Sequence, residues 1–446
     1  MSSTINRRAR VLRVIRYRYI SVRLWRRQGL FWAGAILVAA IAIVFAAGAD
    51  DAGRLFRWMT AGRPWLPFIL APAGLAISLL LTQRVFPGAQ GSGIPQTIAA
   101  LHLHDATRVD RILSLRVAAG KVVLTLLALG CGASIGREGP TVQIGAAVMH
   151  ALGRAARMPS VELQRALVLA GGAAGVGAAF NTPLAGIVFA IEELSHSFEA
   201  RTSGTVFTAV ILAGATTLGL LGNYTYFGHT SADLPFGVAW VAVPLCSLVG
   251  GGLGGVFSAV LIHAARGFRG RAGLLVRRRP IAYAAACGLA LAAFGALSGG
   301  QTYGTGYAQA RALVEGSVHL PAAYALLKMA ATIVSYISGI PGGIFAPSLS
   351  VGAGLGAALS QLVPAAPAGA MVLLGMVAYF SGVVQAPITA TVIVMEMTDN
   401  QQVTIPLMAT AMLSFAVSRL VCVRPLYGAL ADRFIAAQQG PPIPPG

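Results

Sequence analysis

The sequence predicts an all-α polytopic membrane protein made of two related halves. Composition, a row of apolar segments and landmarks that recur in order carry that prediction. Hydrophobic residues make up 56% of the 446 positions and charged residues only 11%, whereas soluble domains carry about 25% charged residues. So few charges do not cover a water-facing surface of ordinary size. Glycine is abundant, at 54 residues, as expected where transmembrane helices pack through small residues or are broken.

Residues 30–48 and 65–81 are spans of about the 20 residues that a bilayer requires. The turn-rich run Pro87-Gly88-Ala89-Gln90-Gly91-Ser92-Gly93-Ile94-Pro95 interrupts before a short apolar piece, 97–103. Apolar segments follow at 116–131, 142–152, 166–180, 183–194 and 206–221, and a polar stretch, 223–235, closes the first half. The second half runs through 238–263, 281–297, 322–337, 347–362, 371–380, 387–397 and 405–421. Several of these are too short to span alone. Broken helices survive in a bilayer only when buried in protein or lining a cavity, and short Gly/Pro-interrupted segments at matching places in two halves point to a transport site.

The matching places are present. Pro140 precedes Gly145 by five residues and Pro347 precedes Gly352 by five; Pro183 precedes Glu192 by nine and Pro387 precedes Glu396 by nine. Four landmarks in one order favour a duplication, with halves at about 30–222 and 236–421. Around them, residues 1–28 form a basic arm, 29–435 the transmembrane domain and 436–446 a short tail.

The net charge of +19 does not indicate nucleic acid, because of where it lies. Residues 1–28 hold nine arginines and no acid, and six more arginines fall between 266 and 279, each cluster beside apolar segments. They read as cytosolic flanks under the positive-inside rule, placing a multi-pass protein in the cell inner membrane with both termini cytoplasmic. The N-terminal arm either lies on an anionic leaflet or stays disordered. Cys131, Cys246, Cys287 and Cys422 lack metal-ligand spacing and imply no disulfide. Gly250, Gly252 and Gly255 fit a G-x-G-x-x-G pattern, but inside an apolar run with no strand before it, so helix packing is the better reading.

Three Gly/Pro-rich breaks, Gly91 to Pro95, Gly136 to Pro140 and Gly342 to Pro347, each precede an apolar helix. Converging, they would aim several positive helix ends at one point, with Ser92 adding a hydroxyl, and bind a small anion; facing apart, they are three caps. Glu138 sits in the second break and is itself an anion for that place. Only 14 acidic residues exist, yet Glu138, Glu192, Glu193 and Glu396 lie in or beside apolar segments, where carboxylates are costly and functional by default. Capping at a helix end suits Glu192 and Glu396 better.

Gly-Ser-Gly-Ile-Pro at 91–95, Gly-Arg-Glu-Gly-Pro at 136–140, Gly-Ile-Phe-Ala-Pro at 343–347 and Pro425-Leu426-Tyr427, in that order, resemble the CLC family of chloride channels and chloride/proton exchangers. The resemblance covers about residues 30–435. It implies inverted-topology repeats with broken and re-entrant helices, and a homodimer with one anion pathway per subunit. By position, Ser92 and Tyr427 would donate hydroxyls to chloride, and the amides of Ile344 and Phe345 would complete the site. Glu138 would be the gate and Glu193 the internal proton-transfer acid, which leans toward exchange.

Two departures stand beside it. Gln96-Thr97-Ile98 replaces acidic residues of well-known bacterial exchangers, and Ile98 removes a partner for Glu193. The chain also ends soon after Tyr427, so regulation through the nucleotide-binding CBS pair of eukaryotic relatives is not expected. The expectation is a chloride/proton antiporter that needs no cofactor or metal beyond its bound chloride ions. A passive channel is the alternative. A membrane enzyme lacks a recognisable nucleophile, metal set or cofactor motif.

Overall fold

The computed structural model describes residues 22–158, 160–195, 200–222, 225–268 and 270–439. Most of the basic arm, 1–21, and the tail from 440 lie outside them, as does Arg269. The first-half helices are α1 (Val22–Thr60), α2 (Pro67–Arg84), α3 (Ile94–His102), α4 (Ala106–Ile112), α5 (Leu115–Gly130), α6 (Glu138–Ala155), α7 (Val161–Phe180), α8 (Pro183–Phe189) and α9 (Ala200–Leu221). A π-helical turn, Ala190–Ser195, extends α8. The second half holds α10 (Ala242–Arg266), α11 (Gly270–Arg278), α12 (Pro280–Leu297), α13 (Tyr307–Val314), α14 (Tyr324–Ile337), α15 (Phe345–Leu359), α16 (Ala368–Val384), α17 (Pro387–Thr398), α18 (Thr404–Val421) and α19 (Leu426–Gln439).

Among the described residues, seven helices are long and apolar enough to cross a bilayer. Their outward faces carry large apolar side chains, including Val44, Ile69, Leu297 and Leu420. Water does not favour such a surface, and a hydrocarbon solvent does; this is an integral membrane protein.

Packing repeats between the halves. α1 packs on α7 and α9, as α10 packs on α16 and α18; α6 packs on α7 as α15 packs on α16. α2 meets α12, and α8 meets α17. Local chemistry repeats with it. α7 ends on Asn181 and α16 on Gln385, both left-handed at φ 55° and 57°, each two residues ahead of the proline that opens the next helix. A left-handed residue is a common helix stop, and proline at the first helical position sacrifices only an amide that had no partner.

Small residues let backbones approach in both halves. A Cβ on Gly145 would strike the Gly171 carbonyl, and one on Gly352 would meet the Gly375 carbonyl at 2.5 Å. Gly250 and Gly255 of the nucleotide-like pattern likewise sit against Ala378 of α16 and Ser418 of α18, so that stretch is a packing face.

The structure departs from the sequence expectations at helix edges and in short elements. Residues 22–28, assigned to the arm, are the first turns of α1, because nothing there breaks a helix. α6 begins at Glu138, ahead of the apolar run that marks it in sequence. α4, α11, α13 and α19 have too few apolar residues in register to stand out, and tertiary packing fixes them instead.

Candidate functional site

The three glycine-rich breaks meet. Gly91 N donates to the Ile340 carbonyl and Gly342 N to the Gly91 carbonyl, both at 3.1 Å, while Gly136 and Gly343 exchange amide-to-carbonyl bonds at 2.7 Å. These backbone bridges tie the starts of α3, α6 and α15 to one point and settle the choice between convergent and divergent breaks.

Glycine is required where the segments touch. Gly93 has φ 103°, a conformation that residues with a Cβ avoid. A Cβ on Gly139 would run into the Ser92 side chain and lie 2.8 Å from its carbonyl. The side chain of Gln96 accepts from Gly93 N at 3.1 Å and its amide donates to the Gln90 carbonyl at 2.5 Å, which fixes the entry to α3.

Glu138 is fully buried at this point. Its Oε2 accepts from Ala346 N at 3.4 Å, in the first turn of α15, and its Oε1 accepts from the Tyr307 hydroxyl. Amides of a first helical turn have no intrahelical partner and carry partial positive charge. The carboxylate therefore occupies the seat that such a helix start offers to an anion.

Ser92 and Tyr427 are fully buried near this seat. Their hydroxyls lie close enough to interact, yet neither makes a hydrogen bond of good geometry to the protein. Two orphaned hydroxyls in an apolar pocket fit an acceptor from outside, as a small anion is. The Phe345 ring packs against Tyr427 (5.9 Å between centroids), Phe380 (4.8 Å) and Phe180 (6.0 Å), and Ile344 is buried beside it. These contacts hold the start of α15, and with it the Ile344 and Phe345 amides, in the centre of the molecule.

A cavity opens on each side. One, of about 410 Å³, is lined by Ser92, Gln96, Tyr336 and Arg433. The other, of about 720 Å³, is lined by Asp50, Arg57, Tyr303 and Tyr307. Glu138 belongs to neither lining; it stands in the protein between them.

Arg137 does not pair with its neighbour Glu138. Its guanidinium bridges to Asp50 of α1 at 2.9 Å, donates to the Ala46 carbonyl, and lies over the Tyr226 and Tyr307 rings at 5.2 and 5.3 Å. It fastens α1 and the two tyrosines to the break, a structural charge with cation–π contacts.

Glu193 is 3% exposed, on the π-helical turn, and its Oε1 has no partner. Tyr427 lies within electrostatic reach of both Glu193 and Glu138. Glu192 and Glu396 behave differently. Glu192 accepts from Ile388 N (3.1 Å) and Thr389 N (2.6 Å), and Glu396 accepts from Leu184 N (3.1 Å) and Ala185 N (2.8 Å). Each caps the other half's helix, so capping is their role, although across the repeat and not on their own helices. Ile98 is buried in α3, which packs against the turn that carries Glu193.

Sequence reasoning missed Tyr307 and the lysines. Lys121 and Lys328 are the only lysines in the chain and both are fully buried. Lys121 Nζ donates to the carbonyls of Gln90 and Gly91 (3.2 and 2.9 Å). Lys328 Nζ donates to those of Thr302 and Gly304 (2.9 and 2.7 Å). Each holds the loop ahead of a short helix, α3 or α13. Their isolation in apolar segments, at equal distances before Gly136 and Gly343, was the available signal.

The chain is similar to known proteins. The family model described as voltage gated chloride channel matches residues 73–419. The chain is 32% identical over 386 residues to the H(+)/Cl(-) exchange transporter ClcA of Salmonella typhimurium, covering 84% of this chain and 80% of that protein. Against the protein of the same name from Cronobacter sakazakii it is 31% identical over 438 residues, 91% of this chain and 90% of that one. In fold it is similar to a slow cyanobacterial Cl-/H+ antiporter, with a TM-score of 0.76 at 24% identity over 92% of this chain and 99% of that chain.

Proposed function

The chain belongs to the voltage-gated chloride channel family, and from that premise we propose that it exchanges chloride for protons across a membrane, with Glu138 as the gate. The observation that carries the proposal is the seat of Glu138, a buried carboxylate at the first turn of α15 between two open cavities. The exchange activity named for the ClcA relatives supports it.

Ionised, Glu138 fills the anion seat and closes the path between the cavities. Protonated, it loses most of its attraction for the helix start and leaves, and chloride takes its place. One carboxylate thus competes with chloride and carries a proton, which couples the two fluxes. Chloride entering from the inner cavity would meet the hydroxyls of Ser92 and Tyr427 and the amides of Ile344 and Phe345, donors aimed at the anion without a full positive charge to trap it. Glu193, buried with a free carboxylate oxygen, would hand protons to Glu138 from the inner side.

The same reading makes residues 29–435 the transporting unit, with repeat halves at about 30–222 and 236–421, the arm 1–28 before it and the tail 436–446 after it. It makes the protein a homodimer with one pathway per subunit in the cell inner membrane, both termini cytoplasmic, where the arginine clusters meet the positive-inside rule. The working ligands are chloride and protons.

One observation favours a passive channel instead: α3 brings the apolar Ile98 to the turn bearing Glu193, where an acid would assist proton entry. The two readings separate in proteoliposomes. A chloride gradient imposed on the exchanger drives a pH change inside the vesicle, whereas a channel moves chloride and leaves the internal pH unchanged.

A further inference from the structure

We propose that Tyr307 is a latch on the gate: its hydroxyl holds the ionised Glu138 carboxylate in the anion seat and so sets the pH at which transport is released. The inference rests on Glu138 being the gate, and its test is arranged to fail separately from proton coupling.

The latch is built, not incidental. Tyr307 is 8% exposed, and its hydroxyl donates to Glu138 Oε1 while the amide of Ala346 takes the other oxygen. The ring is held by Tyr226 at 4.5 Å and Phe227 at 5.4 Å, with the Arg137 guanidinium over its face. Tyr307 is the first residue of α13, behind Gly306 at φ 85°. The loop that delivers it is pinned by Lys328, whose ammonium donates to the Thr302 and Gly304 carbonyls. A Cβ on Gly306 would lie 2.9 Å from Lys328 Cε, so the clamp leaves the loop no slack.

The chemistry selects one protonation state. A phenol donating to a carboxylate makes a charge-assisted bond, stronger than the bond it makes to a neutral carboxyl group. The bond therefore favours the seated, ionised gate and lowers the pH needed to lift it. The other groups facing Glu138 are Arg137, with Asp50 behind it, and Tyr427; removal of the Tyr307 hydroxyl leaves all of them in place. Its loss leaves the seated carboxylate with one holder fewer.

The test uses the full chain in liposomes, with chloride and proton fluxes measured across the acid-to-neutral range. Tyr307→Phe keeps the ring and deletes the bond; the midpoint of chloride flux is expected to move up by about one to two pH units, with faster flux at neutral pH. Lys328→Met is expected to move the midpoint the same way, and Lys328→Arg to restore it. In a Glu138→Gln background, Tyr307→Phe is expected to change chloride flux by less than about twofold, because there is no charged gate to hold. An unmoved midpoint in Tyr307→Phe overturns the latch, and so does an equal effect of Tyr307→Phe with and without Glu138. The chloride profile reports on the latch whether or not protons are coupled to it.

Discussion

Glu192 in the first half and Glu396 in the second follow their prolines by the same nine residues, and each places two carboxylate oxygens on two backbone amides of the other half. One residue further along, the halves part: Glu193 in the first corresponds to Met397 in the second. The central break parts in the same way, because Pro140 of the first half corresponds to Pro347 of the second and Glu138 therefore corresponds to Phe345. Acids kept in both halves are consumed by backbone caps. The two buried acids without a repeat counterpart are held differently: Glu193 keeps an oxygen without a partner, and Glu138 is held by the Tyr307 hydroxyl and the Ala346 amide. A duplicated fold needs its caps twice, whereas the proposed proton path needs its acids once.

That contrast can be broken experimentally. Glu193→Gln removes an acid without a repeat partner, and proton movement is expected to fall by at least about tenfold while chloride flux continues; parallel loss of both fluxes would return Glu193 to a structural role. Ser92→Ala deletes one of the two orphaned donors. Chloride affinity, read by calorimetry on the solubilised protein, is expected to weaken about fivefold for one lost hydrogen bond. Glu192→Gln and Glu396→Gln strike the symmetric pair. Each is expected to cost about 1 kcal/mol of stability, seen as matched falls in melting temperature with the proton-to-chloride ratio unchanged. A change in that ratio from either would erase the distinction between caps and carriers.

Much of this was legible in the chain. The breaks at Gly91, Gly136 and Gly342 and the recurring prolines showed through because Gly and Pro punctuate helices regardless of context. Acids in apolar segments stood out for their desolvation cost. The cross-repeat caps did not, since amides some two hundred residues away leave no local trace. Nor did α13: eight residues of mixed polarity behind a glycine-rich loop give no helical period, and so Tyr307 was hidden until the fold placed it on Glu138. Lys121 and Lys328 were visible as the two lysines of an arginine-rich chain, and only their matched spacing before the breaks reveals their shared role.

The central claim is that a single carboxylate, Glu138, couples the two ions. The most direct measurement records chloride efflux and internal pH together in proteoliposomes of the wild type and of Glu138→Gln. An imposed chloride gradient is expected to drive protons in the wild type, and Glu138→Gln to pass chloride with no proton movement at any pH. Proton movement that survives in Glu138→Gln would contradict that claim.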